Sequence, residues 1–267
     1  MPKVSVIMGV YNSKDTVKKA IQSILNQSYR DWEFIICDDG SNDGTWEILQ
    51  NIAKNHSKII LLRNKKNIGL GASLNRCIMV ASGEYLARQD ADDVSIENRL
   101  EEEVNFLNIH KEVSVIGTYA NLVNQNGNVW GEIKPPEIPT KNDWVKASSV
   151  IHATVLMRKQ DIVDVGMYNE EAFRVEDYEL WMRLVSKGYV IKTLPKILYK
   201  IRWDISDYSR RAFKYRLIEA KVRLNGYRKM GVCVKDYIYV FKPIILGLIP
   251  KNLMFLHHQR RFKKNGM

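Results

Sequence analysis

Gly83-Glu84-Tyr85-Leu86-Ala87-Arg88-Gln89-Asp90-Ala91-Asp92-Asp93 runs from a short apolar stretch into three carboxylates within four residues. The first half has the character of a strand, and Val94 to Leu100 directly after it resembles a helix start with Ser95 as the N-cap. Open α/β sheets bind their ligands at the carboxyl ends of their strands. Carboxylates packed this densely repel one another unless a cation offsets them, and Mg²⁺ or Mn²⁺ suits hard oxygen ligands. A solvated acidic turn is the plain alternative, and the stretches around it argue against that.

Upstream, strand and helix patterns alternate. Lys3 to Val10 is β-rich and stops at Tyr11-Asn12-Ser13; apolar residues recur at helical spacing from Asp15 to Gln27. Glu33 to Cys37 is the continuous apolar run of a buried parallel strand, and it ends in a second acidic turn, Asp38-Asp39-Gly40-Ser41. A helix over about 44–54, a strand at Ile59 to Leu62 and a helix from Asn67 to about Ser82 complete the alternation. This order predicts a mostly parallel sheet with right-handed crossovers, its polar strand ends gathered on one crevice. Two acid clusters on one edge imply a shared ligand.

Beyond residue 93 the pattern predicts a helix over 97–108, a strand over 113–119, and a hairpin and loop in the turn-rich 124–140. Ala153 to Met157 reads as extended, Glu176 to Lys187 as a helix with Leu180, Trp181 and Leu184 on one face, and Val190 to Leu194 as a strand. Ile197-Leu198-Tyr199 then leads out of the core.

Charge divides the chain. The net charge is +11, yet residues 1–199 hold 24 Lys and Arg against 26 Asp and Glu, and residues 200–267 hold 17 against 4. Ser206 to Met230 reads as a basic helix carrying, among others, Arg210 and Arg211. Tyr237 to Leu256 is apolar but broken by Lys242, Pro243, Pro250 and Lys251, and Arg260, Arg261, Lys263 and Lys264 follow it. A spanning helix needs about 20 apolar residues with few charges, so this segment is expected to lie on an anionic membrane surface. Cys37, Cys77 and Cys233 have no paired spacing, which fits a reducing compartment. No signal peptide is visible, so a cytoplasmic protein, peripheral on the membrane's inner face, is expected.

In Val4-Ser5-Val6-Ile7 with Tyr11-Asn12, Asp38-Asp39-Gly40-Ser41 with Asp43-Gly44, Asn67-Ile68-Gly69, Asp90-Ala91-Asp92-Asp93 with Arg99-Leu100, and Glu176-Asp177 with Leu180-Trp181, the chain resembles the family 2 glycosyltransferases. These are a large inverting group with a GT-A fold, an α/β fold of Rossmann-like character. The motifs stand in family order across roughly residues 3–205. The resemblance implies a GT-A domain over 1–205 with a basic helical appendage over 206–267. It also implies one sugar moved from a nucleoside-diphosphate donor, UDP-linked, to a glycan or lipid-linked acceptor in bacterial surface polysaccharide assembly.

By the same resemblance, Asp92 is the metal ligand on the diphosphate, and Asp90 lies near the ribose or the metal's outer shell. Asp39 accepts a hydrogen bond from the base, a sensible partner for a uracil-type imide N–H. Tyr11 stacks near the base, and Asn12 and Asn67 belong to the same donor pocket. Asp177 is the general base that takes the acceptor's proton, with the helix N-terminus favouring its ionised form. His152 matches a position near the donor or acceptor pocket. Many relatives carry a histidine shortly after the last core strand, where this chain has Arg202, a fixed cation that can neutralise phosphate. The Gln-x-x-Arg-Trp motif of processive members is absent, since Tyr199 stands where the Gln is required before Arg202-Trp203.

Asp90-Ala91-Asp92-Asp93-Val94 also fits the nucleophile motif of haloacid-dehalogenase phosphatases, but there it follows the first strand, not the fourth. No Gly-x-Gly-x-x-Gly follows the first strand, as a nicotinamide enzyme would require. A non-enzymatic basic membrane- or nucleic-acid-binding module leaves both acid clusters unexplained, and carboxylates would repel nucleic-acid phosphate.

Overall fold

The computed structural model describes residues 2–203, 213–250, 253, 254, 260 and 262. β1 (Val4–Val10), α1 (Val17–Leu25), β2 (Trp32–Asp38), α2 (Thr45–Ala53), β3 (Ile59–Arg63), α3 (Leu70–Val80) and β4 (Tyr85–Arg88) alternate as the hydrophobic pattern demands. β1 pairs in parallel with β2 and β4, and β2 with β3. Their side chains point alternately to two packed faces. Val6, Phe34 and Ile36 lie in one apolar cluster, Ile7, Ile35 and Cys37 in the other. Each such fully buried aliphatic or aromatic side chain contributes roughly 1.5–3 kcal/mol.

After β4 the chain builds the second half of the same sheet. The further elements are β5 (Val94–Ser95), α4 (Arg99–Ile109), β6 (Val113–Val123), β7 (Val129–Ile133), α5 (Lys141–Lys146), β8 (Leu156–Arg158), α6 (Lys159–Asp164), α7 (Glu176–Ser186) and β9 (Val190–Arg202). The strand order is β3-β2-β1-β4-β8-β6-β9-β5, with β7 on β6 as the turn-rich segment predicts. β8 runs antiparallel to both β4 and β6, so the parallel arrangement belongs to the first four strands and the far side is mixed.

Three local expectations change. Ser95 is not an N-cap: Val94–Ser95 is consumed in a bridge to Tyr199–Lys200, and α4 begins after Asn98. His152 to Thr154 is a 3-10 turn, not extended, because Thr154 Oγ1 donates to the Ile151 carbonyl and accepts the Thr118 N–H. Nor does the chain leave the core after Leu194. β9 continues to Arg202, with its register shifting around Pro195 and Lys196, so the proline sits in an irregularity instead of ending the strand.

The C-terminal quarter forms α8 (Phe213–Met230), a 3-10 segment (Val234–Val240) and α9 (Lys242–Gly247). The start of the expected 206–230 helix, and Arg210, Arg211, Lys251, Arg261, Lys263 and Lys264, lie outside the described residues. One face of α8 joins the main core: Val222, Tyr227 and Met230 belong to the cluster that also holds Leu180, Trp181 and Leu184. Gly226 permits the close approach, for a Cβ there would come 2.0 Å from the Met182 sulfur. Buried Arg223 donates to the Val145 carbonyl at 2.9 Å and lies over the Tyr178 ring. The appendage is thus continuous with the domain along α7.

Candidate active site

The carboxyl ends of β1, β2 and β4 border a cavity of about 500 Å³, a size typical of small-molecule sites. Tyr11, Asn12, Asp39, Asn67, Asp90, Asp92 and Arg202 all line it, so seven residues singled out from the sequence meet around one space. Asp177 and His152 are not in its wall. Phe173, Arg174 and Glu176 are, and they come from the loop before α7 and its first residue.

Asn12 builds the first wall. At φ +49° it occupies the left-handed region that asparagine tolerates. Its N–H donates to Ser41 Oγ at 2.9 Å and its Oδ1 accepts from the Asn42 N–H at 3.0 Å, which ties the loop after β1 to the loop after β2. Asp39 is spent largely on structure: it accepts from Ile68 N, Gly69 N and Asn64 Nδ2 at 2.7–2.9 Å. Three of a carboxylate's roughly four acceptor directions are thereby used, and one remains for a donor facing the cavity. Asp38 caps its own turn by accepting from the Ser41 N–H three residues on, and it pairs with Arg63 at 3.2 Å.

The acid loop rests on a buried cationic scaffold. Arg99, fully buried, donates to the Arg88 carbonyl at 2.8 Å and to Ser95 Oγ at 2.7 Å, and pairs with Glu103 at 3.2 Å. Burial pushes the Glu103 carboxyl up to about 7 against the pull of Arg99. Gln89 then holds the loop from inside, donating to the Asp90 and Asp93 carbonyls. Arg88, also fully buried, pairs with Asp90 at 2.5 Å, and the Asp90 N–H donates to the Tyr199 hydroxyl at 3.1 Å. Asp93 points inward and accepts from Arg202 N at 2.8 Å; burial and the neighbouring Asp90 and Asp92 charges hold its carboxyl well above the usual range. Asp92 stays at the cavity, and β9 delivers Arg202 beside it.

Glu176 and Asp177 begin α7. Glu176 packs against Gly71 of α3 and faces the cavity, while Asp177 lies next to it within electrostatic reach of Glu219 on α8. Burial raises both carboxyls, and the Asp177 charge adds to the rise of Glu176, to about 7. His152 is not in that cavity's wall. Its Nε2 lies 2.8 Å from the Tyr168 hydroxyl and its ring packs edge-on to Trp181; burial and then Arg88 depress its pKa well below the ordinary value, which keeps it neutral. Of these residues, Arg88, Phe173 and Arg174 carry no sequence signal beyond their nearness to the two acidic motifs.

An acid whose pKa is raised is available as a base above that pKa and lost below it. Transfer is therefore expected to rise with pH through about 7 as the Glu176 carboxyl, raised by burial and by the Asp177 charge, loses its proton. In Glu176→Gln that step should vanish. A wild-type profile flat from about pH 6 to 8 would contradict this assignment.

Asp90 and Asp92 offer hard oxygen to the cavity, and among the described residues no group of three or more His, Cys, Asp and Glu forms an all-protein cage. Mg²⁺ and Mn²⁺ are typically held by one or two carboxylates together with substrate phosphates. The donor set fits an ion shared with a diphosphate.

Strand order and cavity together define an α/β protein with an acid-lined ligand cavity at the carboxyl ends of its strands, and comparison with known proteins gives the family. Residues 5–166 match the family described as Glycosyl transferase family 2, to which the chain belongs, and it is a glycosyltransferase. It is 40% identical to the putative glycosyltransferase EpsE of Bacillus subtilis over all of this chain and 97% of that protein. It is also 31% identical, over 70% of this chain and 72% of the other, to the Escherichia coli WfaP, a UDP-Glc:alpha-D-GlcNAc-diphosphoundecaprenol beta-1,3-glucosyltransferase. The structure of S. aureus TarS 1–349 in complex with UDP superposes with a TM-score of 0.66 at 18% identity, covering 97% of this chain and 87% of that one, and establishes the GT-A fold.

Proposed function

We propose that the protein is a metal-dependent, inverting glycosyltransferase that moves one sugar from a UDP-linked donor to a hydroxyl of a lipid-linked diphosphate glycan in surface polysaccharide assembly. The observation that carries this is the single cavity shared by Asp39, Asp92 and the Glu176 end of α7. The name of WfaP, an enzyme acting on a diphosphoundecaprenol-linked sugar, supports the acceptor class, and the UDP complex of TarS supports the nucleotide.

In this reading Tyr11 and Asp39 hold the base, and Asn12 and Asn67 border the pocket. Asp92, aided by Asp90, would hold Mn²⁺ or Mg²⁺ on the diphosphate, which supplies charge compensation as the leaving group departs. Arg202 adds a fixed positive charge on the same wall. Asp177 takes the proton from the acceptor hydroxyl as that oxygen attacks the anomeric carbon from the face opposite the leaving UDP, so the configuration inverts. Burial raises the Asp177 carboxyl, which favours its taking up that proton, and the Asp177 charge in turn raises Glu176 beside it. A panel of UDP-sugars assayed for transfer with and without Mn²⁺ tests the reading. Metal-dependent release of UDP, stimulated by a lipid-diphosphate acceptor, is expected; no turnover of any UDP-sugar would contradict it.

The C-terminal quarter supplies the membrane contact. Ile238, Phe241, Ile245 and Leu248 are 59–73% exposed, and Val234 is 85% exposed. Gly247 of α9 packs on Phe213 and Arg216, which brings the exposed Phe213 and Leu217 of α8 alongside this patch. Contiguous apolar exposure of this kind marks an interaction surface, and exposed Lys214, Lys221, Lys229 and Lys235 complement an anionic bilayer. Among the described residues no helix is long and apolar enough to cross a membrane. Ile238→Glu with Leu248→Glu should abolish binding to phosphatidylglycerol vesicles while UDP affinity stays unchanged. Undiminished vesicle binding would remove the membrane contact from the account.

A further inference from the structure

Arg174 stands two residues before Glu176 on the wall of the donor cavity, with its backbone at φ +69°. A residue with a side chain pays for this left-handed conformation where glycine would not, and such strain collects at ligand clamps, where the surrounding structure enforces it. Phe173 does the enforcing. Its ring seats on Gly69, where a Cβ would come 2.5 Å from Phe173 Cε2, and it stacks on Tyr215 of α8 with centroids 5.6 Å apart. Gly69 itself has φ +97° and donates its N–H to Asp39, so this seat is part of the donor pocket.

The Arg174 guanidinium lies 5.7 Å from the Phe173 ring centroid, and among the described residues it makes no hydrogen bond or ion pair. Asp15, Asp39, Asp90, Asp92 and Glu176 line the same cavity, against the two guanidinium groups of Arg174 and Arg202. A diphosphate adds negative charge to a wall already acidic. An ion held by Asp92 and Asp90 would offset part of it, and arginine's planar fork suits the remaining phosphate oxygens.

We infer that Arg174 is a second arginine clamp on the donor diphosphate, reaching it from the α7 side as Arg202 does from β9. This rests on the nucleoside-diphosphate reading above. The clamp explains why a strained arginine occupies a position that glycine would fill at lower conformational cost.

Titration with UDP in the presence of Mn²⁺, and separately with uridine, tests it. Arg174→Gly suits the backbone at φ +69° and is expected to leave the thermal midpoint unchanged or higher. It should weaken UDP by about tenfold or more and leave uridine unaffected, because uridine carries base and ribose without phosphate. Arg174→Lys, which keeps the charge without the fork, should recover part of the loss. Wild-type UDP affinity in Arg174→Gly overturns the clamp, and so does an equal loss for uridine. A rise confined to the acceptor KM assigns Arg174 to the acceptor's phosphates and overturns the donor assignment. A wild-type protein that binds no UDP overturns the nucleotide reading itself, and the clamp with it.

Discussion

Asp177→Asn should lose transfer by about a thousandfold or more in kcat while UDP and Mn²⁺ bind as in the wild type, because a positioned general base contributes about 10²–10⁴. The amide keeps the shape of the side chain and removes its proton affinity. Its surroundings fit the role: burial lifts the carboxyl, two backbone N–H groups in the first turn of α7 restrain the rise, and the Glu219 charge adds to it while Arg88 opposes it. Asp177 lies outside the donor cavity's wall, next to Glu176 and within electrostatic reach of Glu219. Steady-state transfer assays beside UDP titrations separate the two effects. Loss of UDP binding in Asp177→Asn would refute the base assignment, and if Glu176→Gln showed the deeper kcat loss, the base would be Glu176.

Asp92→Ala is expected to act on binding. With Mn²⁺ present, UDP affinity should fall by about a hundredfold, to the level the wild type shows in chelator, since the ion's contribution amounts to several kcal/mol. Asp92 borders the cavity, while Asp93 turns inward to Arg202 N and Asp90 is paired with Arg88. Calorimetry with and without Mn²⁺ measures this. An unchanged Mn²⁺ effect in Asp92→Ala would move the metal elsewhere.

Much of this site was legible because its residues sit where turn chemistry and strand runs coincide. Asp38-Asp39-Gly40-Ser41 and Asp90 to Asp93 each follow an apolar run, and an α/β sheet must bring such ends together. What stayed hidden depends on contacts distant in sequence. Arg99 and Glu103 have the spacing of a solvated helix pair, yet they are wholly buried under β4, where Arg99 holds the Arg88 carbonyl. Phe173 and Arg174 read as polar loop because their conformation is set by Gly69 and Tyr215, about a hundred and about forty residues away. Pro195 made β9 look shorter than it is, since a register shift that absorbs a proline leaves no local trace. The packing of His152 on Tyr168 and Trp181 depends on contacts that leave no local pattern around a lone histidine.

One cavity should hold a cation-bridged nucleoside diphosphate, and titrating the protein with UDP in Mn²⁺ and then in chelator addresses this directly. Saturable binding of one UDP per chain, about a hundredfold tighter with Mn²⁺, is the predicted result. Absence of UDP binding under both conditions would contradict it.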